Sequence, residues 1–283
     1  RFDPTGVAVA ISPWNFPLML GTWKVMPALA WGNTVVWKPA EDTPVSATIV
    51  GRLALQAGMP PGVLNVVHGY GPDSAGAALT SNPDVERITF TGESGTGKII
   101  SAAASRNLVP VSLELGGKGA NIVFDDAELD NAVHWAVQAI FRNAGQICLS
   151  GSRLYLQAGI YDEFVERFVA AAEALKAGDP KDEGTEFPLA LASQEHFDKV
   201  SSYLDTIEQD GGRIVTGGVG DGWSVKPTII LDAPPTARVC REEIFGPVCV
   251  VQRFETEDEV VHAANDTRYG LNAMVFTENL SRA

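Results

Sequence analysis

The chain has 283 residues, 45% of them hydrophobic and 20% charged, enough apolar material for one large core or two domains. Its net charge of −14 argues against a nucleic-acid backbone or an anionic membrane surface as partner. Three cysteines, Cys148, Cys240 and Cys249, are too few and too irregularly spaced for a disulfide framework or a zinc site, so a reducing, cytoplasmic setting is expected.

In chain order, Val7–Ile11 reads as a buried strand. The uncharged run 6–23 approaches the length of a membrane span, but Pro13, Asn15 and Pro17 interrupt it and Lys24 closes it. A strand, a turn and a buried helix are expected there instead. Residues 34–37, 63–67, 87–91 and 109–113 repeat the pattern of strands in a parallel sheet. Between them a helix is expected over 45–57, with Thr43 as cap, Pro44 at the first helical position and Gly58 after the end. Further helices are expected over 74–79, after the turn Gly71-Pro72-Asp73, and over 97–104, after a glycine-rich loop. Such alternation implies an α/β fold, a doubly wound parallel sheet with sites at the carboxyl ends of its strands. A domain boundary is expected at 116–118, dividing the chain into 1–116 and 117–283. Beyond it, strands are expected over 120–124, 153–157, 228–231, 248–254 and 273–276, and helices over 130–142, 161–176 and 193–209. Arg1 is not an initiator and the chain stops just after a strand-like run, so a piece of a longer protein is expected.

The stretch TFTGESGTGKII (89–100) follows a strand and opens a helix, the context of an anion-binding turn. From Gly92 to Lys98 it fits the triphosphate-binding pattern G-x-x-x-x-G-K-[ST], but Ile99 stands where a hydroxyl should ligand Mg²⁺. Glu93 also puts a negative charge inside the supposed cradle. Taken alone, the loop is a tight strand-to-helix turn, with a P-loop phosphotransferase as the rival reading. Cys148 lies in NAGQICLSGS, after a long helical pattern and among small residues. A thiolate is the strongest nucleophile among protein side chains near neutral pH; an isolated cysteine is otherwise inert core. Glu114, in SLELGGK, stands between leucines at a strand end, apolar surroundings that suit a general base. The two glycines after it let the carboxylate swing. His68, His134, His196 and His262 have no metal-ligand spacing and are read as structural or exposed.

Six stretches occur in order: SPWNFPLML, VVWKPAED, FTGESGTGK, LELGGK, GQICLSGSR and EEIFGPV. Together they resemble the NAD(P)-dependent aldehyde dehydrogenase superfamily across essentially the whole chain, and members of that family are longer at both ends. The resemblance implies an NAD-binding domain over 1–116, incomplete at its start, and a catalytic α/β domain over 117–283, incomplete at its end. It implies that Gly92, Ser94 and Gly97 belong to the turn approaching the NAD pyrophosphate, with Glu93 departing from the commoner Ser. Lys38 and Glu41 would hold the adenosine ribose, the carboxylate accepting from the 2′-hydroxyl and repelling a 2′-phosphate, which favours NAD over NADP. Glu243 would hold the nicotinamide ribose, Phe245 would pack by the nicotinamide, and Trp14 and Gly71 would line the dinucleotide cleft. By the same resemblance Cys148 is the nucleophile, Asn15 and the Cys148 N–H stabilise the oxyanion, and Glu114 activates the water that hydrolyses a thioester. No metal is implied. The full-length protein would be a homo-oligomer, a dimer or a tetramer.

Within the family, VVHGYGPDSAGAALT, ITFTGESGTGK and CLSGSRLYL look most like the 2-hydroxymuconic and carboxymethyl-hydroxymuconic semialdehyde dehydrogenase branch of aromatic breakdown. Arg142, six residues before Cys148, would reach the substrate channel if its helix persists, and could clamp a distal carboxylate. Succinate-semialdehyde dehydrogenases use an Arg of a similar motif in that way. Both resemblances imply a small aldehyde bearing a carboxylate. One departure, TEFPLALAS, lacks the Gly that precedes Pro-Leu in the family. A truncated dehydrogenase that retains the site without the activity is the rival reading.

Overall fold

The computed structural model describes residues 3–188 and 190–283; Arg1, Phe2 and the Leu189 of TEFPLALAS lie outside the described residues. The chain forms two compact units, one up to Gly116 and one from Gly117.

In the first unit the strands are β1 (Val7–Ile11), β2 (Thr34–Lys38), β3 (Leu64–Val66), β4 (Arg87–Thr91) and β5 (Val111–Glu114). They lie in the order β3-β2-β1-β4-β5, every neighbouring pair parallel. Between them run α1 (Pro17–Ala30), α2 (Val45–Gln56), α3 (Ala75–Ser81) and α4 (Ser94–Ser105). Alternation along β1 produces the double winding. Ala8 and Ala10 join a core with Val25 of α1 and Ala47 of α2, while Val9 and Ile11 join another with Ile100 and Ala104 of α4. From β1 the chain runs outward through β2 and β3, then returns to β1's other side for β4. A topological switch point therefore lies between β1 and β4.

Three local expectations need correction. The helix after β1 is not a buried one: Gly21 and Val25 are buried, but Leu18, Trp23 and Met26 are exposed, because only one face rests on the sheet. Thr43 does not cap α2. Pro44 stands at the N-cap, and the Thr43 hydroxyl donates instead to the Trp14 carbonyl at 3.4 Å. The helix expected from residue 97 already begins at Ser94, directly after the Gly92-Glu93 turn.

The second unit contains β6 (Ala120–Val123), β7 (Arg153–Gln157), the short pair β8 (Ala177–Gly178) and β9 (Phe187–Pro188), then β10 (Arg213–Val219), β11 (Val225–Leu231), β12 (Val248–Phe254) and β13 (Ala273–Phe276). Its main sheet has the order β10-β11-β12-β7-β6-β13 and is parallel except at β10. The helices are α5 (Leu129–Phe141), α6 (Tyr161–Glu173), α7 (Gln194–Leu204), α8 (Arg238–Arg241) and α9 (Glu257–Asn265). Phe141, Phe164 and Phe168 pack with Leu154, Ile229 and Val250 in the larger core; Phe124, Tyr155 and Phe254 pack with Val260 of α9 in the smaller one. Among the described residues no helix is long and apolar enough to cross a membrane.

Candidate active site

The first unit gathers its candidate residues at one edge. β1 runs into Trp14 and Asn15, β2 ends on Lys38 just before Glu41, β4 runs into Gly92, and β5 ends on Glu114. Parallel pairing makes this the carboxyl edge of every strand, at the switch point where open α/β sheets bind ligands. Buried Lys38 donates to the Pro39 carbonyl at 3.1 Å and to the Glu41 carboxylate at 3.3 Å. Beside that pair lies a cavity of about 160 Å³, with Glu41, Pro44, His68 and Tyr70 in its wall. The Gly71 carbonyl accepts from the Ala77 N–H at 2.8 Å, tying this turn to α3.

The glycine loop is held from behind. The Gly92 N–H donates to the Glu114 carbonyl at 3.1 Å, and α4 then opens at Ser94, where first-turn amides have no acceptor within the helix. A Cβ on Gly97 would stand 2.6 Å from the Leu115 side chain, so the glycine there lets helix and strand pack. Lys98 and Ile99 are exposed on α4. Glu114 is exposed as well. The leucines on either side do not enclose it, because alternate residues of a strand face opposite ways, and Leu113 and Leu115 pack into the core. Its charged neighbour is Lys24 of α1, which donates to Thr89 Oγ1 at 3.4 Å. Burial lowers the Lys24 pKa and the Glu114 charge opposes that shift. No sequence spacing signals this pairing.

In the second unit Cys148 is half-buried on the segment between α5 and β7. α5 does not persist towards it. Arg142 leaves helical geometry at φ −54° and ψ 138°, and Asn143, Ala144 and Gly145 follow at φ 52°, 52° and 67°. The helical spacing argument for Arg142 therefore fails, and its side chain is exposed at the helix end. Left-handed geometry strains Asn143 and Ala144. Gln146 holds the turn, donating to the Asn143 carbonyl and accepting from the Ala192 N–H, both at 3.0 Å.

Close backbone approach draws three motif loops together. A Cβ on Gly145 would stand 2.2 Å from the Gly246 carbonyl oxygen, and one on Gly117 would stand 2.6 Å from the Cys148 carbonyl oxygen. The Gly117 N–H donates to the Glu243 carboxylate at 2.9 Å. Gly117, GQIC and EEIFGP thus meet at a small crevice walled by Gly117, Ile147, Glu243 and Phe245. Glu242 points elsewhere, accepting from Tyr203 Oη at 2.8 Å and Arg238 Nε at 3.0 Å. Burial pushes the Cys240 thiol up and the Cys249 thiol up to about 12, so both are poor nucleophiles near neutral pH.

A sequence model described as the aldehyde dehydrogenase family matches residues 1–283. The chain belongs to the aldehyde dehydrogenase family. It is 50% identical over 289 residues to a 2-hydroxymuconic semialdehyde dehydrogenase of Pseudomonas sp. (strain CF600), covering 99% of this chain and 59% of that protein. A 2-aminomuconic 6-semialdehyde dehydrogenase of Pseudomonas sp. is 48% identical over 288 residues, covering 99% and 58%. The crystal structure of PnpE in complex with nicotinamide adenine dinucleotide superposes with a TM-score of 0.96 at 48% identity, covering 99% of this chain and 58% of that one. The chain thus spans rather more than half the length of these proteins.

The donor set fits a dinucleotide. A cavity of about 160 Å³ beside the buried Lys38 ammonium and the exposed Glu41 carboxylate, and a helix start at the switch point, are what a ribose and a pyrophosphate require. Sequence reasoning missed His196 as a neighbour of Phe245. Phe245 has φ 61°, an outlier for a bulky residue; its carbonyl accepts from His196 Nε2 at 2.8 Å, and the two rings meet edge-on at 5.8 Å. Burial lowers the His196 pKa, against the pull of the Phe245 carbonyl. The neutral ring therefore donates through Nε2. A histidine at a helix start carries no sign in sequence of a carbonyl 49 residues away.

Proposed function

We propose that this chain carries the coenzyme site and the nucleophile of an NAD-dependent aldehyde dehydrogenase whose substrate is a small semialdehyde bearing a carboxylate. The observation that carries the reading is the approach of the Cys148 carbonyl to Gly117, beside a crevice walled by Gly117, Glu243 and Phe245, in backbone contacts that only glycines at 117 and 145 permit. Lys38 and Glu41 would hold the adenosine ribose, Gly92, Ser94 and Gly97 the pyrophosphate turn, and Trp14 and Gly71 the cleft wall. Glu243 would hold the second ribose and Phe245 would pack on the nicotinamide. NAD, when bound, supplies the hydride acceptor.

The chain's own residues do the rest. The Cys148 thiolate adds to the aldehyde carbon, giving a thiohemiacetal. Asn15 and the Cys148 N–H donate to the alkoxide oxygen. Oxidation leaves a thioester on Cys148, and Glu114 takes a proton from the water that hydrolyses it to a carboxylic acid. The muconic names of the relatives support a semialdehyde of that class, and succinate semialdehyde is the alternative of the same chemistry. The test is NADH formation against a panel of 2-hydroxymuconic semialdehyde, succinate semialdehyde and acetaldehyde. Wild type should form NADH with the carboxylate-bearing aldehydes first. Cys148→Ala should abolish turnover and retain NAD binding; turnover surviving in Cys148→Ala would overturn the reading.

A further inference from the structure

Two carboxylates stand side by side at residues 242 and 243, and the fold treats them in opposite ways. Glu242 follows α8 in extended geometry, φ −105° and ψ 152°, so consecutive side chains leave the backbone on opposite sides. The Glu243 carboxylate turns to the Gly117 N–H and the crevice wall. The Glu242 carboxylate turns to α7 and α8, where Oε2 accepts from both Tyr203 Oη and Arg238 Nε. Two identical neighbouring side chains do not choose between these directions; their partners do. Tyr203 is the fixed half of the grip. It is buried on α7, 39 residues away in sequence, whereas Arg238 is exposed on α8 with its guanidinium 3.8 Å from the Tyr203 ring centroid. An exposed ion pair alone contributes little, so the buried phenol is the anchor. Burial and the bond to Glu242 push the Tyr203 pKa up to about 12, so the phenol keeps its proton and remains a donor. Burial of Glu242 opposes ionisation, but the bonds from Tyr203 and Arg238 prevail and lower its pKa. The Glu243 amide is tied as well, donating to Tyr269 Oη at 3.4 Å.

We propose that Tyr203, acting through Glu242, is a positioning residue that keeps the Glu243 carboxylate on the Gly117 side. The proposal rests on the reading that Glu243 holds the second ribose. Without the Glu242 anchor the extended segment can turn, and in part of the population Glu243 leaves the Gly117 N–H. Coenzyme then meets a mixture in which only a fraction of molecules is competent, and its apparent affinity falls by that fraction. Tyr203 touches neither the ribose nor Glu243 in this account; it works at one remove.

The test is calorimetric binding of NAD⁺ and AMP to the full chain as wild type, Tyr203→Phe, Glu242→Ala, Glu242→Gln, Glu243→Ala and the pair Tyr203→Phe with Glu243→Ala. Phe fills the space of the Tyr203 ring without its hydroxyl, and AMP, which lacks the second ribose, reports any loss not specific to that ribose. Tyr203→Phe and Glu242→Ala should each weaken NAD⁺ by about three- to tenfold and leave AMP within about twofold of wild type. Glu242→Gln, which still accepts from Tyr203, should bind NAD⁺ more tightly than Glu242→Ala. With Glu243 already replaced, Tyr203→Phe should cost about twofold or less, because residues acting in series do not add. An NAD⁺ affinity unchanged by Tyr203→Phe, an equal loss of AMP, or a loss undiminished without Glu243 would overturn the proposal and leave the coenzyme reading standing. Wild-type NAD⁺ affinity in Glu243→Ala would remove the ribose role of Glu243 and take the proposal with it.

Discussion

Lys118 shows what one buried charge costs. It follows Gly117 just before β6, is 2% exposed, and its Nζ has no hydrogen-bond partner among the described residues. Burial pushes its pKa down from 10.5 to about 8, with Cys240 and Glu243 opposing the shift and Arg153 adding to it. Between those two values the unfolded amine holds a proton that the folded one has lost, so stability rises as pH climbs through that window. Below about pH 8 the folded protein carries the full cost of an enclosed ammonium. Lys118→Met should therefore stabilise the protein at pH 7 by roughly 3 kcal/mol, with the gain shrinking towards zero by about pH 10.5. Urea unfolding of both proteins across that range decides it, and a gain independent of pH would contradict the assignment. His196 makes a different demand, because it restrains the left-handed backbone of Phe245. His196→Ala removes that donor and should raise the KM for NAD about tenfold while changing kcat less, whereas His196→Gln, which keeps a donor, should recover most of the loss.

At the scale of elements, the turn between α5 and β7 fixes where Cys148 sits. Gly145→Ala would put a Cβ on the Gly246 carbonyl and a side chain on a residue at φ 67°. The loop must then move, at a cost of about 1–3 kcal/mol. Melting and the alkylation rate of Cys148 should both change; an unaltered alkylation rate would show that the contact does not position the thiol. This turn also marks where the sequence stops being legible. The apolar runs that became β1, β2, β4, β7 and β12 announce a doubly wound sheet, because a strand buried on both faces is apolar throughout. β10 escaped because it is an antiparallel edge strand with Gly217 and Gly218 at φ 95° and 93°, so no apolar run marks it. α9 is strongly acidic in its first turn and buries only Val260, too little apolar surface to stand out. The candidate site divides the same way. Cys148, Glu114 and Glu243 sit in recognisable motifs. Lys24 and His196 become neighbours of Glu114 and Phe245 only through the fold, and local pattern contains no trace of that.

For the whole molecule, the two units have separate hydrophobic cores, and that arrangement has a thermodynamic consequence. Cores that share no buried residues need not melt together, and multi-domain chains commonly depart from a single transition. Four tryptophans, Trp14, Trp23, Trp31 and Trp37, belong to the first unit, and Trp37 is fully buried there. Trp135 and Trp223 of the second are exposed, so burial-dependent fluorescence reports mainly on the first unit while circular dichroism reports on both. Denaturation followed by the two probes should give non-coincident curves. The proposed adenosine and pyrophosphate contacts all lie in the first unit, so AMP should raise the fluorescence transition by about 2.7 kcal/mol at a hundredfold excess over its Kd. The part of the dichroism change that belongs to the second unit should stay where it was. If AMP moved both curves together by the same free energy, the units would be one cooperative body and the assignment of adenosine contacts to a separately stable unit would be wrong.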